Sequence, residues 1–235
     1  MRSTGEYFLS AQQVTMDLPD QVWRRVCRFD FRAPGFALVD FGSHFSPRAM
    51  REAMINLKSE MSGIHFAQRQ QRLMYLSLGR FDQQETTKFH LDGAPAESVL
   101  MLGYEPTKVK SRIFLADYSK CAHDLRISVE KFLKDYNPIY IKGAEILANY
   151  STLLQTDTSH WQILVINNSS KSWQADGRAM QGVMHMAHVE EPSLIERRIV
   201  NSIMIFPGTE DEAESGNLAD QKRFIESDVI SQKAF

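Results

Sequence analysis

Thr86-Thr87-Lys88-Phe89-His90-Leu91-Asp92-Gly93 carries a histidine and an aspartate two residues apart. On an extended backbone, side chains two apart leave the same face, so one imidazole nitrogen and one carboxylate oxygen can grip a single metal ion. A second imidazole, His185, stands in an apolar, strand-like run about a hundred residues on, and an arginine-led strand follows it. Two imidazoles and one carboxylate on one side of an octahedral ion leave three cis positions open, as at non-haem ferrous centres.

These residues need rigid elements to bring them together. Phe36–Phe41, between Pro34-Gly35 and Gly42, reads as a short buried strand. Ser46-Pro47 supplies an N-cap and a proline at the first helical position; Met50, Met54, Leu57 and Met61 then recur at helical spacing, and Ser62-Gly63 predicts the end of that helix. Further strands are expected at Leu73–Leu78, stopped by Gly79, at Ser98–Tyr104, and at Arg112–Tyr118. Trp161–Ile166, Val183–Val189 and Arg198–Phe206 complete the set, with Asp176-Gly177 as a turn and Pro207-Gly208 as the close of the last strand. Short turns between closely spaced strands favour an antiparallel sandwich or barrel over an α/β fold. Residues 119–150 break the rhythm with two helical apolar clusters and read as an insertion, a candidate lid.

The whole chain, 1–235, is expected to be one domain: an arm at 1–20, a core at 36–207, and a tail or helix at 208–235. With 43% hydrophobic residues and a net charge of -2, nothing draws it to nucleic acid or to an anionic membrane, which leaves small molecules as the expected partners. No apolar run is long enough to span a bilayer. Cys27 and Cys121 are the two cysteines; neither a secretory apolar region nor a Cys-x-x-Cys accompanies them, so a reducing, cytoplasmic setting is expected. The acidic stretch 210–214 reads as solvated surface.

The order strand, His-x-Asp, two strands, insertion, strand, Gly182-Val183-Met184-His185-Met186-Ala187 and arginine-led strand resembles the Fe(II)/2-oxoglutarate-dependent oxygenases over roughly residues 70–207. The resemblance implies a mainly β fold with flanking helices: a double-stranded β-helix, or jelly roll, with an N-terminal supporting helix and a helical insertion. It also implies that His90, Asp92 and His185 hold Fe(II), that Arg198 pairs with the far carboxylate of 2-oxoglutarate, and that O2 is the oxidant; Ser202, four residues after Arg198 on the same strand face, is placed by its spacing to assist. A guanidinium suits that role because it is planar, two-pronged and permanently charged. Related halogenases replace the carboxylate ligand with a small residue, so the Asp92 kept here implies hydroxylation, desaturation or another oxygenase outcome on a small organic substrate.

Several assignments stay open on sequence alone. His188 competes with His185, though a strand cannot point both inward. Arg197 and Arg112 compete with Arg198, which could instead pair with Glu196 or Asp220. Tyr104 and Asn167 are candidates to line a pocket. Trp161 and Trp173 fit core or rim packing, and His44, His65, His123 and His160 fit surface or supporting positions. Two other functions use the same motifs: a cupin-like dioxygenase or isomerase that needs no 2-oxoglutarate, and a non-catalytic jelly-roll binding protein.

Overall fold

The computed structural model describes residues 7–11, 17–28, 30–170, 182–208 and 217–230. In chain order the elements are β1 (Phe8–Ser10), α1 (Leu18–Val26), β2 (Phe36–Asp40), α2 (Pro47–Arg69), β3 (Arg72–Asp82), β4 (Val99–Tyr104), β5 (Ser111–Ala116), α3 (Tyr118–Asp124), α4 (Val129–Asp135), α5 (Ile141–Ala148), β6 (Ser151–Leu154), β7 (Gln162–Asn167), β8 (Met184–Val189), β9 (Ile199–Gly208) and α6 (Asn217–Glu226).

The strands make a six-stranded sheet, β1-β2-β7-β4-β9-β3, and a three-stranded sheet, β6-β5-β8. Every neighbouring pair is antiparallel except β1 with β2. Alternation along the strands gives each sheet two faces. Phe36, Leu38, Leu100, Leu102, Leu164, Ile166, Val200 and Met204 from the large sheet meet Ile113, Leu115 and Leu154 from the small one, so the two sheets enclose a shared apolar interior. The opposite face of the large sheet, with Val39, Met101, Ile163, Val165, Ile203 and Ile205, packs against α1, α2 and Phe224 of α6.

The supporting helix begins as expected and ends later. Ser46 Oγ accepts from the Ala49 amide at 3.1 Å and Pro47 is the first helical residue. The helix runs through Ser62-Gly63 to Arg69 and stops at Gln70 in the left-handed conformation, φ 59°. A mid-helix glycine costs about 1 kcal/mol relative to alanine; here burial of Met61 and His65 and acceptance by Ser62 Oγ of the Leu73 amide offset it. At Gly103 the helix comes so close to β4 that a Cβ would lie 2.6 Å from Met54 Sδ.

Other limits also moved. β3 continues past Gly79 to Asp82 because β9 pairs with it throughout, with a register shift between Tyr75 and Ser77. β9 accommodates Pro207-Gly208 because β4 has ended: Val99 pairs with Ile205, and only β3 runs alongside beyond that point. Within the segment expected to be a loose arm, Tyr7 and Leu9 are buried and β1 pairs with Leu38–Asp40. The insertion holds three helices followed by β6, a strand hidden in the sequence by its position after a helical apolar cluster. Its first stripe is interrupted by Arg126, whose φ is 56°. In the tail, α6 is fastened to α2 by the buried Arg51, which donates to the Ile225 carbonyl at 2.9 Å and pairs with Asp228 at 2.9 Å.

The expected Asp176-Gly177 turn, Trp173 and the acidic stretch 210–214 lie outside the described residues. Cys27 and Cys121 are buried and unpaired. Among the described residues no helix is long and apolar enough to cross a membrane.

Candidate metal centre

His185 is delivered by regular structure. In β8 it lies opposite Leu115 of β5, on the inward face, and is 8% exposed. His188, three residues on, is exposed on the other face, as strand alternation requires.

His90 and Asp92 arrive on an irregular segment that lies along the free edge of β8. The His90 and His185 amides and carbonyls exchange two hydrogen bonds of 3.1 Å, and the Thr87 amide donates to the Ala187 carbonyl at 2.9 Å. Threonine hydroxyls replace the missing rungs: Thr87 Oγ1 accepts from the Ala187 amide at 3.0 Å and Thr86 Oγ1 from the Val189 amide at 2.9 Å. Phe89 and Leu91, which alternate with His90 and Asp92, pack against the cluster of Ala116, Tyr118, Phe132 and Leu147. The helical insertion therefore backs this segment, and Lys88 Nζ donates to the Ile139 carbonyl at 2.8 Å.

The three side chains converge. Asp92 Oδ1 lies 3.3 Å from His90 Nε2 and 3.9 Å from His185 Nε2, and the two imidazole centroids are 4.2 Å apart. All three offer donor atoms within 4.8 Å of one another, and no other group of three or more His, Cys, Asp or Glu among the described residues does so. Metal bonds of about 2.1 Å at right angles separate cis donors by about 3.0 Å, so a metal ion fits with a small inward movement. Protonation also suits a metal. His90 Nδ1 sits 2.7 Å from the Lys88 carbonyl, which can only accept, so that nitrogen carries the proton and Nε2 has its lone pair free. Burial, reinforced by the neighbouring His90, lowers the pKa of His185 although Asp92 opposes the shift, so its ring is neutral at neutral pH. Its Nδ1 is buried with no hydrogen-bond partner.

Arg198 lies just before β9 and is 2% exposed. Its Nη1 donates to Gln83 Oε1 at 2.7 Å, its Nε to Ser111 Oγ at 2.9 Å, and its guanidinium carbon sits 5.3 Å from the Tyr104 ring centroid. The two acids the sequence offered are engaged elsewhere, Glu196 with Lys108 and Asp220 with Arg223. Among the described residues Arg198 has no carboxylate within ion-pair distance, so a buried cation is held by neutral groups that use two of its five donors. Arg112 is 55% exposed and pairs with Glu190 on the outer face, and Arg197 is exposed. Tyr104 links the two parts of the site: burial pushes its pKa up to about 12, Arg198 opposes the shift and the charge of Asp92 adds to it.

The structure does not join Ser202 to Arg198. Ser202 is buried opposite Leu102, four residues further along, or about 13 Å of strand. The guanidinium is anchored at its own end by Gln83 and Ser111.

Asn167 points away from the interior, toward the Val26 carbonyl. Its neighbour Asn168 reaches Asp92 instead. Trp161 is buried with α1 and α2, His65 is buried against Trp23, and His160 contacts Asp40 at 3.0 Å. His44 and His123 are on the surface. Gln83, Ser111 and Asn168 escaped sequence reasoning because their parts depend on contacts between residues 76 to 115 positions apart.

No family model matches the sequence, nor does any curated protein. Among solved structures the chain is similar to a tryptophan-to-phenylalanine variant of the iron and alpha-ketoglutarate-dependent endoperoxidase NvfI, with TM-score 0.34 and 10% identity over 78% of this chain and 80% of that one. It is also similar to NvfI in a different conformation, with TM-score 0.32 and 11% identity over 88% of this chain and 95% of that one. Similarity at this level defines neither a common topology nor equivalent residues.

Proposed function

We propose that this chain is a mononuclear non-haem iron oxygenase that couples decarboxylation of 2-oxoglutarate to oxidation of a small organic substrate in a reducing compartment. The observation that carries the proposal is the convergence of His90, Asp92 and His185 at one point, with a buried arginine in the same interior that meets no acid among the described residues. Strand order supports it. If the segment 86–91 counts as the second strand, β3 to β9 run from first to eighth and lie as 1-8-3-6 and 2-7-4-5, the two facing antiparallel sheets of a jelly roll.

In this reading His90 Nε2, Asp92 and His185 hold Fe(II) on one side and leave the other to exogenous ligands. Bound there, Fe(II) with 2-oxoglutarate would supply reductive activation of O2: CO2 is released, one oxygen atom enters succinate, and the other enters the substrate or leaves as water with two substrate hydrogens. Arg198 presents its remaining donors to the distal carboxylate of 2-oxoglutarate, with the Tyr104 hydroxyl beside it. A carboxylate there would supply the counter-charge that no described residue provides. The apolar lining, Leu115, Val200 and Met204 among it, excludes water and holds a C–H bond toward the metal.

Anaerobic titration tests this. Fe(II) with 2-oxoglutarate should give a visible metal-to-ligand charge-transfer band, absent in His185→Ala and weakened in Arg198→Ala. Metal binding without a response to 2-oxoglutarate would replace the proposal by a metal enzyme that does not use it. No metal binding would leave a binding protein.

A further inference from the structure

The metal-bearing segment ends in a residue whose backbone has no strand neighbour, and a side chain takes the neighbour's place. Asn168, just past β7 and 2% exposed, accepts the Asp92 amide on Oδ1 at 3.0 Å and donates from Nδ2 to the Asp92 carbonyl at 3.1 Å. A carboxamide has one acceptor face and one donor face, as a peptide unit has, so this pair reproduces one rung of a β-ladder with no second strand. The orientation of the amide is fixed, because only its oxygen can meet the Asp92 N–H and only its nitrogen the Asp92 C=O. Asn168 is itself held at both ends: Nδ2 also donates to Ser98 Oγ at 3.0 Å, and its own amide donates to the Ser98 carbonyl at 3.0 Å.

The contrast with His90 shows why this matters. His90 is located by two backbone hydrogen bonds to β8. Asp92 lies beyond them, and its carboxylate is 38% exposed, so the imidazoles do not fix it by packing. We propose that Asn168 is the positioning residue for the carboxylate ligand, and that its carboxamide, acting as a substitute strand, fixes the Asp92 backbone so that Oδ1 faces both imidazoles. This rests on the reading of His90, Asp92 and His185 as a metal site. It adds a member that touches neither metal nor substrate.

Co(II) alone is the probe, with affinity measured by calorimetry and the apoprotein melting temperature recorded alongside. Asn168→Ala should weaken Co(II) binding 10- to 100-fold, the usual loss when an outer partner of a ligand is removed. In an Asp92→Ala background the same change should have no further effect, since Asn168 acts through Asp92. A merely structural role would weaken binding in both backgrounds, so an equal loss in each overturns the proposal, as does an Asn168→Ala affinity within twofold of the parent. Asn168→Ser leaves a neutral hydroxyl in the buried site but cannot bond the Asp92 N–H and C=O together. It should fold if Asn168→Ala does not, and should still bind Co(II) at least fivefold more weakly than the parent. If the parent binds no Co(II), the metal site falls and this inference with it, whereas a parent that binds and variants that match it sink the inference alone.

Discussion

His185 and the His90/Asp92 pair reach one point by different means. His185 sits in a paired strand and is fixed by main-chain register, which no single side chain controls. His90 and Asp92 lie on a segment without continuous pairing, held by Thr86, Thr87, Phe89, Leu91 and Asn168. One half of the site is therefore specified by topology and the other by individual residues, and the second should be far easier to disturb without unfolding the protein.

The widest separation between the halves should come from paired core deletions. Phe132 is fully buried behind the ligand segment, and Leu100 is fully buried within the large sheet. Phe132→Ala should destabilise by about 3–5 kcal/mol and Leu100→Ala by about 2–5 kcal/mol, read from urea unfolding. Only Phe132→Ala should also weaken Fe(II) binding; equal loss of metal from both would erase the distinction.

Acid should act mainly through buried imidazoles. Burial lowers the His65 pKa to about 4, with Arg69 adding to the shift. Between that value and its unfolded pKa near 6.5 the unfolded chain holds more protons, so stability is complete above about pH 6.5 and declines as pH falls. His65 alone should account for a loss of about 2 kcal/mol at pH 5. Denaturant melts of the apoprotein at pH 7.5 and pH 5 should show that loss, reduced in His65→Leu. The shift of His185 has the same sign, so some pH dependence should remain in that variant.

A smaller effect is expected at the rungs made by hydroxyls. Thr87→Val leaves the Ala187 amide without its acceptor and should cost about 1–2 kcal/mol, with a measurable loss of metal affinity. The smallest belongs to His188→Ala on the exposed face of β8, which should change stability by less than about 0.5 kcal/mol and leave metal affinity unaltered. Loss of metal there would reverse the choice between the two histidines.

Strands bounded by glycine and proline were legible in the sequence, as at Phe36–Asp40, because backbone restriction is a local property. The His-x-Asp pair was legible for the same reason, since two-residue spacing decides facing. Extents were less so: α2 outruns Ser62-Gly63 and β3 outruns Gly79 because distant partners compensate for weak local propensity. β1 has three residues and β6 four, too few to show a period. The burial of Arg198 against Gln83 and the carboxamide rung at Asn168 arise only when segments remote in sequence meet, and no local pattern encodes them.

Among the described residues the longest pairing joins β3 to β9, from Arg72 opposite Gly208 to Asp82 opposite Ile199. During synthesis β3 leaves the ribosome long before the chain that will cover it, and over a hundred residues must follow before that strand is made. Loop closure of that length is slow, and an uncovered strand edge invites association with other chains. Nascent protein should therefore depend on holding chaperones until β9 has emerged, and truncations that remove β9 should accumulate as aggregates rather than as smaller folded units.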